Sequence, residues 1–119
     1  MYKIKNEVIE SIIIAARNVY PDEFFSMLGG TEDKITELVI VPATFGENFS
    51  SYRLDLVPFD KNIIGTIHSH PSPNNNPSRA DLESFAAKGK IHLIISHPYT
   101  LDTIRAYDTE GNRKQLKVI

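Results

Sequence analysis

With 119 residues the chain has room for one domain with its own core, spanning 1–119, and none for a second. Hydrophobic residues make up 41% and charged residues 24%, the proportions of an ordinary globular domain, and a net charge of -2 without a lysine or arginine cluster offers no electrostatic footprint for nucleic acid. The absence of cysteine excludes disulfides, thiolate metal ligands and a cysteine nucleophile, so any metal must be held by histidine and carboxylate.

The first residues, Met1 to Glu7, lack a signal-peptide pattern, and no apolar run approaches the length of a membrane span, so the expected location is the cytoplasm. From Glu7 to Tyr20 the apolar residues Val8, Ile9, Ile12, Ile13, Ala16, Val19 and Tyr20 recur at helical spacing. Asn6 is the expected N-cap, Glu7 and Glu10 suit the positive end of the dipole, and Pro21 biases Tyr20 away from helical dihedrals.

Glu23 then opens an apolar segment, Phe24 to Leu28, expected as a strand that closes in Gly29-Gly30 and a polar turn through Lys34. On its own, a carboxylate there reads as a solvated edge residue. Ile35 to Val41 is β-branched, and Tyr52, Leu54 and Leu56 alternate with Arg53 and Asp55, which predicts two neighbouring strands joined by the polar connection Ala43–Ser51. Ile63 to His70 predicts a central strand with Ile64, Thr66, His68 and His70 on one face, and Gly65 lets another backbone approach closely. A helix follows from about Arg79 to Lys88, stopped by Gly89. Ile91 to Ser96 is a further buried strand, and Thr103–Tyr107 with Gln115–Ile119 is expected to form a closing hairpin. Sparse helices and hairpin-length connections favour a mixed α+β layer architecture over a doubly wound parallel sheet.

The chemistry concentrates between His68 and Asp81. On a strand the two histidines point the same way with α-carbons roughly 7 Å apart, so both imidazoles can reach one ion. A loop stiffened by Pro71, Pro73 and Pro77 leads to Ser78 and to Asp81 in the first turn of the helix. Two imidazoles and one carboxylate suit catalytic zinc, which keeps a fourth position open. Ser78 and Asp81 at this spacing also make a plausible capping pair. A hydrolytic zinc site needs ligands, a base and an oxyanion donor. His68, His70 and Asp81 can supply the first and Ser78 the third, while the base must be a carboxylate from elsewhere in the chain.

This pattern, His-Ser-His-Pro, seven residues between His70 and Ser78, then Asp81, strongly resembles the JAMM motif of the JAB1/MPN/Mov34 metallopeptidase family. The resemblance implies an α+β fold of the JAB1/MPN, cytidine-deaminase-like kind: a mixed, mostly antiparallel sheet flanked by two main helices. It implies one zinc ion per chain held by His68, His70 and Asp81. It also implies that Glu23, in Pro21-Asp22-Glu23 after the first long helix, is the general acid/base toward the water at the zinc, and that Ser78 stabilises the oxyanion. Ser26 and Phe25 depart from the glycine and the small residue common in the family, while Gly30 keeps the later glycine.

Active members resemble isopeptidases. The implied reaction is zinc-dependent hydrolysis of (iso)peptide bonds at the C-terminal tail of ubiquitin-like or sulfur-carrier proteins, as in minimal prokaryotic or archaeal members, with no nucleic-acid or membrane partner. A homo-oligomer is neither required nor excluded. The alternative is a non-catalytic MPN-type scaffold or modifier-binding module with a structural metal, against which the intact Glu23 and Ser78 speak. A phosphoesterase or amidohydrolase barrel needs about twice this length, and a deaminase-type zinc site needs cysteine. His92 reads as structural and His97 has no motif support; neither belongs to the ligand set.

Overall fold

The computed structural model describes residues 1–39, 62–87 and 89–119. Among these residues the chain runs β1 (Tyr2–Ile4), α1 (Asn6–Val19), β2 (Phe25–Thr31), β3 (Lys34–Val39), β4 (Ile63–His70), α2 (Arg79–Ala87), β5 (Ile91–Ser96), β6 (Ile104–Tyr107), β7 (Arg113–Lys114) and β8 (Leu116–Val118), with a 3-10 turn, Leu101–Thr103, leading into β6. The strands form one sheet in the order β7-β6-β5-β4-β2-β3-β1-β8. The expected Ala43–Ser51 connection and the strand around Tyr52–Leu56 lie outside the described residues. Among the described residues no helix is long and apolar enough to cross a membrane.

The sheet is mixed. β2 runs antiparallel to β3 and β4, and β6 to β5 and β7, whereas β4–β5, β1–β3 and β1–β8 are parallel. The parallel pair β4–β5 needs a crossover, which α2 provides. Two helices on a largely antiparallel sheet are the α+β arrangement expected from the sequence.

Side-chain alternation divides the core. Val8, Ile9, Ile12 and Ala16 of α1 are buried and join Leu28, Ile35, Ile67, Leu93 and Ile95 in one cluster. Phe85 of α2 packs with Ile94 and Tyr107 in a second. β5 thus carries one cluster on its odd positions and the other on its even ones, which is why Ile91–Ser96 is buried throughout and reads as an unbroken apolar run. Each such aliphatic side chain taken fully from water contributes about 1.5–3 kcal/mol.

Three expectations are corrected, and one strand is an addition. β1 has no sequence signal, because three residues are too few to show alternation. The N-cap of α1 is Lys5 rather than Asn6, whose side-chain amide instead donates to Glu10 Oε1 at 3.1 Å. Gly29-Gly30 do not close β2: the strand continues to Thr31, and the turn falls at Glu32-Asp33 with Glu32 at φ 51. Glycine is needed there for space, since a Cβ on Gly30 would lie 1.9 Å from the Lys34 carbonyl oxygen. Finally, the hairpin partner of β6 is Arg113–Lys114, while Leu116–Val118 crosses to the far end of the sheet and pairs with β1.

Gly65 behaves as its position suggests. A Cβ there would lie 1.7 Å from the Ile91 carbonyl oxygen, so glycine lets β5 lie close behind the histidine strand.

Candidate metal centre

β4 presents Thr66, His68 and His70 on one face, and parallel pairing sets His92, Ile94 and Ser96 of β5 beside them in that order. α2 crosses this face. Its first turn brings Asp81 over the two histidines, at the carboxyl end of the parallel strands where open α/β units place ligands.

The three side chains converge. His68 Nε2 and His70 Nε2 are 3.1 Å apart, His68 Nε2 is 3.1 Å from Asp81 Oδ1, and His70 Nε2 is 3.1 Å from Asp81 Oδ2. His68 and Asp81 are buried, and His70 is partly so. Tetrahedral zinc with bonds of about 2.0–2.1 Å sets neighbouring ligands about 3.3 Å apart. The observed separations are close to that size, each histidine meeting a different oxygen of Asp81.

Its protonation is informative. His70 Nδ1 lies 2.8 Å from the Asn74 carbonyl, which can only accept, so a neutral His70 ring carries its proton on Nδ1 and turns its Nε2 lone pair inward. That lone pair meets a carboxylate oxygen and a second imidazole nitrogen. One proton satisfies one edge of such a triangle, whereas a divalent cation satisfies all three, so the donor set fits a metal ion and by its ligand types zinc.

The electrostatics favour the charged form of both Asp81 and His70. Burial would raise the Asp81 pKa, but hydrogen bonds from His68 and His70, the charge of His68 and the Ser78 amide outweigh it and hold the carboxylate well below its usual range. Burial would lower His70, but its bonds to Asp81 and to the Asn74 carbonyl, and the charges of Asp81 and Glu23, raise it overall.

Ser78 and Asp81 form a reciprocal cap. The Ser78 hydroxyl accepts from the Asp81 amide at 3.1 Å, and Asp81 Oδ2 accepts from the Ser78 amide at 2.8 Å. The capping reading therefore holds, and the same carboxylate also faces both histidines. Because the hydroxyl oxygen accepts in this cap, its own proton is free to point elsewhere.

Glu23 lies just ahead of β2. Phe25 pairs with His68, and one residue outward the Phe24 amide donates to Ser69 Oγ at 2.7 Å while the Ser69 amide donates to the Phe24 carbonyl at 2.9 Å. Glu23 is the next residue outward from Phe24, ahead of the strand. The half-buried Glu23 exerts its charge on His70 and on Tyr99. Ser26, fully buried, donates its hydroxyl to the Val39 carbonyl, so this departure from the family's glycine is accommodated between β2 and β3.

The proline loop is tied at several points. Besides the His70–Asn74 bond, the Tyr107 hydroxyl donates to the Asn75 carbonyl at 2.8 Å and Asn75 Nδ2 donates to the Thr103 carbonyl at 3.2 Å. Sequence reading missed Tyr107 and Asn75, and no spacing rule links residues 32 apart.

The remaining histidines stand apart. His92 is fully buried, its Nδ1 is 2.7 Å from Thr66 Oγ1, and its ring stacks on Phe85 at 4.2 Å and 10°. Burial pushes its pKa down to about 4. His97 donates its amide to the His70 carbonyl at 3.1 Å but turns its ring toward Tyr20 and Tyr99, with centroids at 4.9 and 5.4 Å. Among the described residues the only group of side chains placed to share a metal is His68, His70 and Asp81.

Comparison with known proteins agrees with this geometry. A probable metalloprotease from Haloferax volcanii is 33% identical over 127 aligned positions, covering 98% of this chain and 78% of the relative. A JAB1/MPN domain protein from Archaeoglobus fulgidus superposes with a TM-score of 0.80 at 33% identity, covering 98% of both chains. A structure described as JAMM, a metalloprotease-like zinc site in the proteasome and signalosome, superposes at 0.81 with 32% identity, covering 100% of this chain and 98% of that one. Residues 5–110 match the family described as prokaryotic homologs of the JAB domain, and the chain belongs to that family.

Proposed function

We propose that the protein is a zinc-dependent isopeptidase that cleaves at the C-terminal tail of ubiquitin-like or sulfur-carrier proteins, with Glu23 as general acid/base and Ser78 as oxyanion donor. The observation that carries this reading is the convergence of His68, His70 and Asp81, with Glu23 two residues ahead of Phe25, which pairs with His68. A zinc ion bound there would polarise the scissile carbonyl and bring the pKa of a water toward ~7.

The chain's own groups account for the rest. The Glu23 carboxylate takes the proton of the attacking water and later delivers it to the departing lysine amine. The proton of the Ser78 hydroxyl, unused by the helix cap, is donated to the developing oxyanion. Asp81, held ionised by its neighbours, and the Nδ1-protonated His70 keep the donor set in the state that binds a cation. An extended tail can be held by main-chain pairing along a strand edge.

The test is cleavage of a fusion bearing a C-terminal ubiquitin-like tail by wild type and Glu23→Gln, with metal content measured on both. The expected result is about one zinc per chain in each, with cleavage by wild type alone. Normal cleavage by Glu23→Gln would remove Glu23 from the mechanism. Zinc without cleavage of any such fusion would favour a scaffold with a structural metal.

A further inference from the structure

β7 and β8 stand at opposite ends of the sheet, yet Gln115 alone separates them in the chain. The sheet therefore curls until its ends meet at that residue, leaving an open wedge between β6 and β8. The wedge is a groove of about 800 Å³.

Its lining has two chemistries. Ile104 and Ala106 of β6 with Leu116 and Val118 of β8 make an apolar floor, while Arg113, Lys114 and Lys117 contribute cations and, among the described residues, no acidic side chain lines it. Asp108 offsets one of these charges in part, at 3.7 Å from Lys114 Nζ.

One wall has free backbone. The Gln115 carbonyl accepts from the Tyr2 amide at 3.1 Å, the Ile119 amide donates to the Ile4 carbonyl at 2.9 Å, and the Ile119 carbonyl accepts from the Asn6 amide at 3.2 Å. Successive strand residues direct their amides and carbonyls to opposite sides, so residues 115, 117 and 119 face β1 while Leu116 and Val118 face the wedge. Among the described residues nothing pairs with the backbone of either. The opposite wall is closed, since β7 covers Ala106 and Tyr107 and the Arg105 guanidinium donates to the carbonyls of Asp102 and Ile104.

We propose that this wedge receives an extended acidic segment of a partner protein, which adds as a strand along β8. Main-chain pairing to Leu116 and Val118 supplies affinity, and alternating side chains fall on the apolar floor and on the basic rim. β8 spans about 10 Å, enough for roughly three to five partner residues. A second copy of this chain would set the same cations against each other, which favours an acidic partner over self-pairing. The groove contains none of His68, His70 or Asp81, so the proposal stands independently of the metal centre.

The experiment uses the full chain and a labelled eight-residue peptide alternating glutamate and valine, with lysine–valine and glutamate–proline peptides as controls. Binding is read by anisotropy and by amide exchange. The glutamate–valine peptide should bind with or without a chelator, weaken at least tenfold in high salt, and protect the amides of Leu116 and Val118. Lys114→Glu combined with Lys117→Glu should reverse the preference in favour of the lysine–valine peptide, and Leu116→Pro, which removes the outward amide together with the Leu116 side chain of the floor, should weaken binding in a protein whose fold is checked by circular dichroism. Equal binding of the acidic and basic peptides, protection at other strands, or a dimer in sedimentation that Leu116→Pro abolishes would overturn the proposal.

Discussion

His70 Nδ1 donates to the carbonyl of Asn74, four residues further along the chain, at 2.8 Å. The loop thus reaches back to set the tautomer of the neutral histidine that precedes it. Its position is held in turn by the Tyr107 hydroxyl on the Asn75 carbonyl. Tyr107→Phe should loosen that hold and weaken zinc binding, toward the low end of the roughly 10- to 100-fold typical of groups that orient metal ligands. Competition with a chelator measures it. Unchanged affinity in Tyr107→Phe would show that the loop holds its shape without the hydroxyl.

Ser78 caps α2 and is proposed to serve the oxyanion as well. Its cap to the Asp81 amide is worth about 1 kcal/mol of stability, and the proposed oxyanion role would be worth about 10²–10³ in turnover. Ser78→Ala should therefore retain zinc, melt a few degrees lower, and lose most of its turnover with little change in KM. A lower melting temperature with wild-type turnover would leave the hydroxyl with the capping duty alone.

His92 makes stability depend on pH. Burial lowers its pKa from 6.5 to about 4, so between those values the unfolded chain binds a proton that the folded protein does not. Stability then rises with pH across that window, is fully present above about 6.5, and falls by up to about 3 kcal/mol as pH drops toward 4. Urea unfolding of the chelator-treated protein should show this slope in wild type and a shallower one in His92→Phe. Equal slopes would assign the acid lability to other groups.

Gly65→Ala tests the scaffold behind the histidines. With the new Cβ only 1.7 Å from the Ile91 carbonyl oxygen, β4 and β5 must separate, and a loss of at least about 2 kcal/mol is expected together with weaker zinc binding. A variant that keeps wild-type stability in thermal melts would mean that β5 can shift at little cost.

What the sequence made legible was local. His68 and His70 share a face because strand side chains alternate, and Ser78 with Asp81 announces a helix start whether or not a metal is present. Glu23 could be singled out only by resemblance, because its nearness to His70 arises from pairing between strands some forty residues apart. Gly29-Gly30 misled for a physical reason: glycines that mark a turn and glycines that let two backbones touch look identical in one dimension. The closing hairpin failed similarly, since nothing in Arg113 to Val118 tells which strand each short segment will join. Tyr107 and Asn75, bonded across 32 residues, carry no local pattern at all.

His68, His70 and Asp81 together are expected to hold one zinc ion. The most direct measurement is the metal content of purified wild type and Asp81→Ala, with circular dichroism confirming that both are folded. About one zinc per chain in wild type and almost none in Asp81→Ala is the expected result. Equal zinc in both, or none in wild type after zinc loading, would contradict it.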